Sequence, residues 1–183
     1  MDPIEITATL FGLACVWLTV RQNIWCWPTG LVMVTLYIFI FHEARLYSDM
    51  GLQVVYIFMQ IYGWWNWLHG GKDHGVLKVT RLAAAEILLW AAVAVMGVSA
   101  LGYYMDTYTD ADFAYPDAVT TVLSLVAQWL MAKKILESWL IWITVDILSV
   151  SIYYLKGLYP TAGLYLVFLG LASIGFLTWR KAL

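Results

Sequence analysis

Apolar residues fill seven stretches of the chain, approximately Ile4–Val20, Trp25–Phe41, Met50–Leu68, Leu82–Met105, Ala118–Ala132, Trp139–Leu155 and Tyr159–Thr178, and polar residues gather in the gaps between them. A helix needs about 20 apolar residues, within a range of roughly 17 to 25, to cross the hydrocarbon core of a bilayer. The pattern therefore predicts seven transmembrane helices, several of them short. Punctuation agrees. Pro3, Pro28, Pro116 and Pro160 all fall close to the start of a stretch, where a missing N–H is harmless and the fixed φ suits a first helical turn. Gly70, Gly71 and Gly157 stand just beyond stretch ends, the usual place for a C-terminal glycine.

Sliding the chain against itself by 112 residues, without a gap, aligns Thr9–Trp67 with Thr121–Trp179. The match pairs Trp17 with Trp129, Trp27 with Trp139, Tyr47 with Tyr159, Gly51 with Gly163, Gly63 with Gly175 and Trp67 with Trp179. Self-similarity at a fixed offset is the signature of an internal structural repeat. The first three stretches thus correspond to the last three. An offset of four spans returns the chain to the same side of the membrane, so the two triplets run parallel, and the fourth helix exists to make that possible. The expected organisation is residues 1–70 as a first three-helix repeat, residues 71–112 as a basic loop, linker helix and acidic loop, and residues 113–183 as a second repeat. Parallel repeats of this kind occur in transporters, with substrate near the midplane between the halves. A cavity is accordingly expected between spans one to three and five to seven.

Composition makes the bilayer the solvent. Hydrophobic residues form 63% of the chain and charged residues 12%, against about 25% charged in an ordinary soluble domain. The eleven Trp and twelve Tyr suit interfacial belts, and suit stacking on a flat ligand equally well. MDPIEI at the N-terminus lacks the basic stretch of a cleavable signal, so the first span is expected to stay. Charge then sets orientation, because short basic loops stay in the cytoplasm. Arg45 and Lys156 fall on one side; Arg21, Lys72, Lys78, Arg81, Lys133, Lys134, Arg180 and Lys181 fall on the other. The N-terminus is expected outside and the C-terminus inside, with Asp106, Asp110, Asp112 and Asp117 in outer acidic surroundings.

Candidate chemistry is sparse, and it sits inside the spans. Asp146 is the one acidic residue deep within a predicted span, about 10 Å in from Trp139 at 1.5 Å per residue. A carboxylate there costs about 3 kcal/mol on insertion scales, so it should face a cavity or a partner, and no Lys or Arg lies at comparable depth. Trp139, Trp142, Asp146, Ser149 or Val150, and Tyr153 share one helix face at i, i+3 and i+7 spacing. The third span carries Gln53, Tyr56, Gln60, Trp64 and Trp67 on another stripe, and Thr121 and Gln128 extend the pattern to the fifth. Each has a structural alternative: a protonated Asp146 bonded to a neighbouring helix, tryptophans as anchors, and glutamines as helix-to-helix glue worth about 0.6 to 2 kcal/mol. Across the repeat, Asp146 aligns with Val34, Gln60 with Ala172 and Gln128 with Val16. A shared frame would keep such residues in both halves, so their asymmetry points to an asymmetric ligand. Gln22 and Asn23 read as turn-capping residues, and Cys15 and Cys26 as packing residues. His42, His69 and His74 lie in loops or at span ends, and no Ser/His/Asp group, phosphate loop or metal-ligand spacing occurs. Neither catalysis nor a cofactor is expected, and with no mid-span lysine in the seventh helix a retinal is disfavoured.

Three segments resemble the PnuC family of bacterial vitamin transporters: NIWCWPTG from Asn23, QIYGWWNW from Gln60 and ESWLIWITVDILSVSIYYLKGLY from Glu137. The resemblance implies an all-α polytopic membrane protein of seven helices in a three-plus-one-plus-three arrangement of parallel repeats, SWEET-like, assembled as a homotrimer in the bacterial inner (plasma) membrane. It implies facilitated diffusion of nicotinamide riboside, an NAD precursor, trapped by a cytoplasmic ribosyl-nicotinamide kinase, with no nucleic-acid partner. The substrate-binding set carried over is Trp139, Trp142 and Asp146, then Gln60, Trp64, Gln128, Gln53 and Thr121. Thiamine or riboflavin, which related members carry, is the alternative cargo; proton coupling through Asp146 and a ligand-binding sensor without flux also remain open.

Overall fold

The computed structural model describes residues 3–43, 45, 47–109 and 113–183, with Tyr47 and Ser48 described in backbone only. Seven α-helices run through these residues: α1 Pro3–Val20, α2 Cys26–Glu43, α3 Tyr47–His69, α4 Ala84–Tyr108, α5 Ala114–Ala132, α6 Ser138–Leu155 and α7 Tyr159–Arg180. Each expected span is found, with its ends moved by up to four residues. Asp110 and Asp112 of the acidic loop lie outside the described residues. Each proline stands in a first helical turn, as its fixed φ and absent N–H require. Five helices, α1, α2, α4, α6 and α7, are long and apolar enough to cross a membrane by length and composition. The other two, α3 and α5, have 23 and 19 residues; they carry Gln53, Gln60 and Asn66, and Thr120, Thr121 and Gln128. Polarity is concentrated in one helix of each triplet.

The chain divides into two compact units, Met1–Lys78 with Ala132–Lys134, and Val79–Met131 with Ile135–Leu183. In the first, α2 packs against both α1 and α3. Its centre is a tryptophan pair: Trp27 meets Trp67 edge to face, with centroids 5.3 Å apart and planes at 86°. Gly63 lies under the Trp27 ring, where any side chain would collide with it. In the second unit α6 packs on α7, and the same arrangement recurs 112 residues later. Trp139 meets Trp179 at 5.4 Å and 89°, and a Cβ on Gly175 would stand 2.7 Å from the Trp139 ring. Edge-to-face pairs align the positive ring edge with the negative face and add about 0.5–1.5 kcal/mol beyond burial. The linker helix α4 belongs to this second unit, with Gly97 against Val122 and Gly102 against Tyr115 of α5, and Trp90 packed on a cluster of Val126, Leu130 and Ile135.

The turns repeat as faithfully as the rings. After α1, Gln22 is left-handed at φ 53°; its N–H donates to the Thr19 carbonyl at 2.9 Å and that of Asn23 to Leu18 at 2.9 Å. After α5, Lys134 is left-handed at φ 58°, and the Ile135 N–H donates to the Leu130 carbonyl at 3.0 Å. Both are Schellman-type ends, in which a left-handed residue turns the chain so that orphan carbonyls find donors. Arg45 at φ 59° and Gly157 at φ 72° form the second such pair, again 112 residues apart. Asn23 also caps the next turn, its Oδ1 accepting the Trp25 N–H at 3.0 Å.

Candidate functional site

On α6, Ser138, Trp139, Val145, Asp146, Ser149 and Ile152 are buried, and Trp142 and Tyr153 are half-buried. That is the stripe which helical spacing predicts, so the Asp146 carboxylate lies on the inward face. Asp146 is 4% exposed. It makes no hydrogen bond or ion pair among the described residues, and the ion pair between Lys156 and Asp117, at 3.4 Å, lies outside the α6 stripe. A buried carboxylate with no protein partner is held at a desolvation penalty that a ligand's donors or positive charge can offset.

In the first unit the inward line of α3 passes through Gln53 and Tyr56, both half-buried, then Gln60, Gly63 and Trp67, all buried. Gln60 is 5% exposed, and its carboxamide packs on Gly30 of α2. Trp64 stands off this line at 37% exposed. On α5, Thr121 and Gln128 are half-buried. Trp139 is 2% exposed and enclosed by Trp179 and Gly175, as its counterpart Trp27 is by Trp67 and Gly63. Both indoles are frame elements first. Their Nε1 donors are nonetheless buried without a hydrogen-bond partner among the described residues.

One charged group was not visible to sequence reasoning. Lys134, in the turn between α5 and α6, is 4% exposed. Its Nζ donates to the Leu77 carbonyl at 3.0 Å and lies 4.5 Å from the Trp67 ring centroid. Burial lowers its pKa below the ordinary lysine value, and the neighbouring Cys26 partly offsets that. Beside it, Asn66 Nδ2 donates to the Ala132 carbonyl at 2.9 Å. In the second unit the Leu136 N–H donates to Thr80 at 2.9 Å and the Leu82 N–H to Glu137 Oε2 at 3.0 Å. Residues 77–82, part of the basic loop, are thus fastened to the α5–α6 turn. The only sequence signal was the alignment of Lys134 with Gln22, a capping position. Among the described residues no group of three His, Cys, Asp or Glu could hold a metal.

Known proteins share both chain and fold. The model of the family described as "Nicotinamide mononucleotide transporter" matches residues 2–181. The nicotinamide riboside transporter PnuC of Escherichia coli (strain K12) is 32% identical over 202 residues, spanning 96% of this chain and 84% of that protein. The riboflavin/roseoflavin transporter RibM of Streptomyces davaonensis is 25% identical over 182 residues, spanning 96% and 83%. The crystal structure of the vitamin B3 transporter PnuC superposes with a TM-score of 0.77 at 26% identity, covering 98% of this chain and 81% of that one. With its apolar helices, this makes the chain a multi-pass membrane protein of the bacterial inner membrane. Matched along nearly its whole length, the chain belongs to the nicotinamide mononucleotide transporter family.

Proposed function

We propose that this protein takes up nicotinamide riboside by facilitated diffusion. The observation that carries the choice is Asp146, a buried carboxylate without a hydrogen-bond or ion-pair partner among the described residues, on the same inward helix face as Trp142. Nicotinamide riboside offers a flat cationic ring, a carboxamide and ribose hydroxyls. A desolvated cation over an indole gains about 2 kcal/mol or more, and a carboxylate both balances the charge and accepts from hydroxyls. The mononucleotide adds a phosphate, which calls for Arg or Lys. Among the described residues the spans offer neither at depth, so the riboside is favoured. Contacts to the vitamin are proposed for Trp142, Asp146 and Gln60, with Gln53, Thr121, Gln128 and Trp64 in supporting roles and Trp139 fixing the α6 face.

The distribution of Lys and Arg supports a cytoplasmic C-terminus, and the resemblance to PnuC proteins supports a trimer and trapping of cargo by a cytoplasmic kinase. Similarity to RibM favours riboflavin as the second candidate cargo. The test is uptake of labelled nicotinamide riboside into proteoliposomes, with excess mononucleotide, riboflavin or thiamine as competitors. Saturable uptake blocked by unlabelled riboside, and proceeding without an imposed pH gradient, is expected. Uptake of riboflavin or thiamine alone refutes the substrate; binding without flux makes the protein a sensor.

A further inference from the structure

Gly30 is the feature of the first unit that neither the hydrophobic pattern nor the repeat explains. It lies inside α2, is buried, and is replaced in the second repeat by the largest residue, Trp142. A glycine within a helix is disfavoured against alanine unless something must approach the backbone closely. Here the approaching group is Gln60. A Cβ on Gly30 would stand 2.8 Å from Gln60 Cδ and 2.9 Å from Oε1, and closer still to Nε2. All three atoms belong to one carboxamide, and no other group lies nearer. The equivalent of Gln60 in the second repeat is Ala172. Sizes are therefore exchanged between facing helices: small on α2 and large on α3 in one unit, large on α6 and small on α7 in the other.

We infer that Gly30 is a positioning residue, whose missing side chain sets where the Gln60 carboxamide presents its donor and acceptor to the transported vitamin. The inference rests on the proposed function for the nature of the cargo, though not for the Gly30–Gln60 contact itself. A carboxamide hydrogen bond to a ligand depends steeply on distance and angle, so a methyl group on Gly30 displaces the head group by more than the bond tolerates. Gln60 is 5% exposed and makes no hydrogen bond among the described residues, so no protein partner competes for its orientation.

The experiment is a double-mutant cycle on the full chain in proteoliposomes, reading half-saturation and maximal rate for whichever vitamin the wild type carries. Gly30→Ala and Gln60→Ala should each raise the half-saturation concentration about tenfold, the worth of one hydrogen bond, with little change in maximal rate. Gly30→Ala in the Gln60→Ala background should add nothing, because coupled residues are non-additive. Multiplying effects, or a silent Gly30→Ala, overturn the inference. If Gly30→Ala does not accumulate as folded protein, the cycle is repeated with Gln60→Asn, one methylene shorter. Gly30→Ala/Gln60→Asn should then fold and match Gln60→Asn alone; failure to fold, or weaker transport, overturns the inference. Melting temperatures of the same variants in detergent read the contact without substrate: Gly30→Ala should lower the melting point only when Gln60 is present. Loss of the substrate assignment is reported separately, by the wild-type arm.

Discussion

The two units are built alike and furnished differently. Both contain a buried edge-to-face tryptophan pair over a glycine, Trp27–Trp67 on Gly63 and Trp139–Trp179 on Gly175. Across the 112-residue repeat, helices end with left-handed residues at matching positions, Gln22 with Lys134 and Arg45 with Gly157. At the polar positions they part: the first has Gly30, Val34 and Gln60 where the second has Trp142, Asp146 and Ala172. Ring packing and turns are what a fold needs, and they are kept. A carboxylate or carboxamide inside the membrane destabilises the fold, and Asp146 and Gln60 are each present in one repeat and absent from the matching position of the other. The difference supports reading the shared rings and turns as architecture and, under the proposed function, the unshared polar residues inside the spans as contacts for cargo.

The sharpest way to break this division is at Asp146. Asp146→Ala should weaken uptake by tenfold to hundredfold, since hydrogen bonds to charged groups are worth about 1.5–3 kcal/mol, whereas Val34→Ala at the matching position should leave half-saturation unchanged. Equal losses in both would remove the assignment of Asp146 to cargo. The architecture is tested next at the glycines. Gly63→Ala and Gly175→Ala should each destabilise the protein by about 1–3 kcal/mol through overpacking against a tryptophan, read as matching falls in detergent melting temperature; a large fall in one alone would show that the clamps are not equivalent.

A subtler asymmetry is Lys134. Its pKa is lowered by burial, so the unfolded chain binds the proton more tightly than the folded one. Stability from this group therefore rises with pH, between the lowered pKa and the ordinary lysine value. Lys134→Gln gives the turn the residue of its counterpart, Gln22, and should abolish that rise. Identical melting curves across alkaline pH for wild type and variant would count against it. The smallest effects are expected at Gly51→Ala and Gly163→Ala, where, among the described residues and apart from the adjoining chain, no atom lies within 4 Å of the added methyl: a change of at most about 1 kcal/mol, in the stabilising direction, from helix propensity.

Much of this is legible in the sequence alone. Hydropathy located every helix because lipid-facing residues must be apolar regardless of tertiary detail. The apolar run begins at Ala118 although α5 starts at Ala114, because Tyr115 and Asp117 interrupt the pattern; Pro116 suits a first turn. The α6 face was readable, since Trp142, Asp146 and Ser149 announce themselves at helical spacing. The α3 face was read less well: from Gln60 the eye moves four residues to Trp64, while the buried line moves three to Gly63. A glycine contributes nothing to a hydrophobic pattern, so the face it opens is invisible there. The buried state of Lys134 was illegible for another reason. It depends on a backbone turn and on the Leu77 carbonyl, 57 residues away.

The left-handed turn after α5 carries a wider lesson. Its counterpart shows that the turn demands a conformation and not a side chain, because Gln22 and Lys134 satisfy it alike. Such a position is free ground in a duplicated chain. Placing lysine there in the second copy supplies a tether to a loop that the first copy does not have, while the turn itself stays as it was. A protein made of two like parts can acquire a distinct loop contact through one codon, at a site where the fold is indifferent to what the codon specifies.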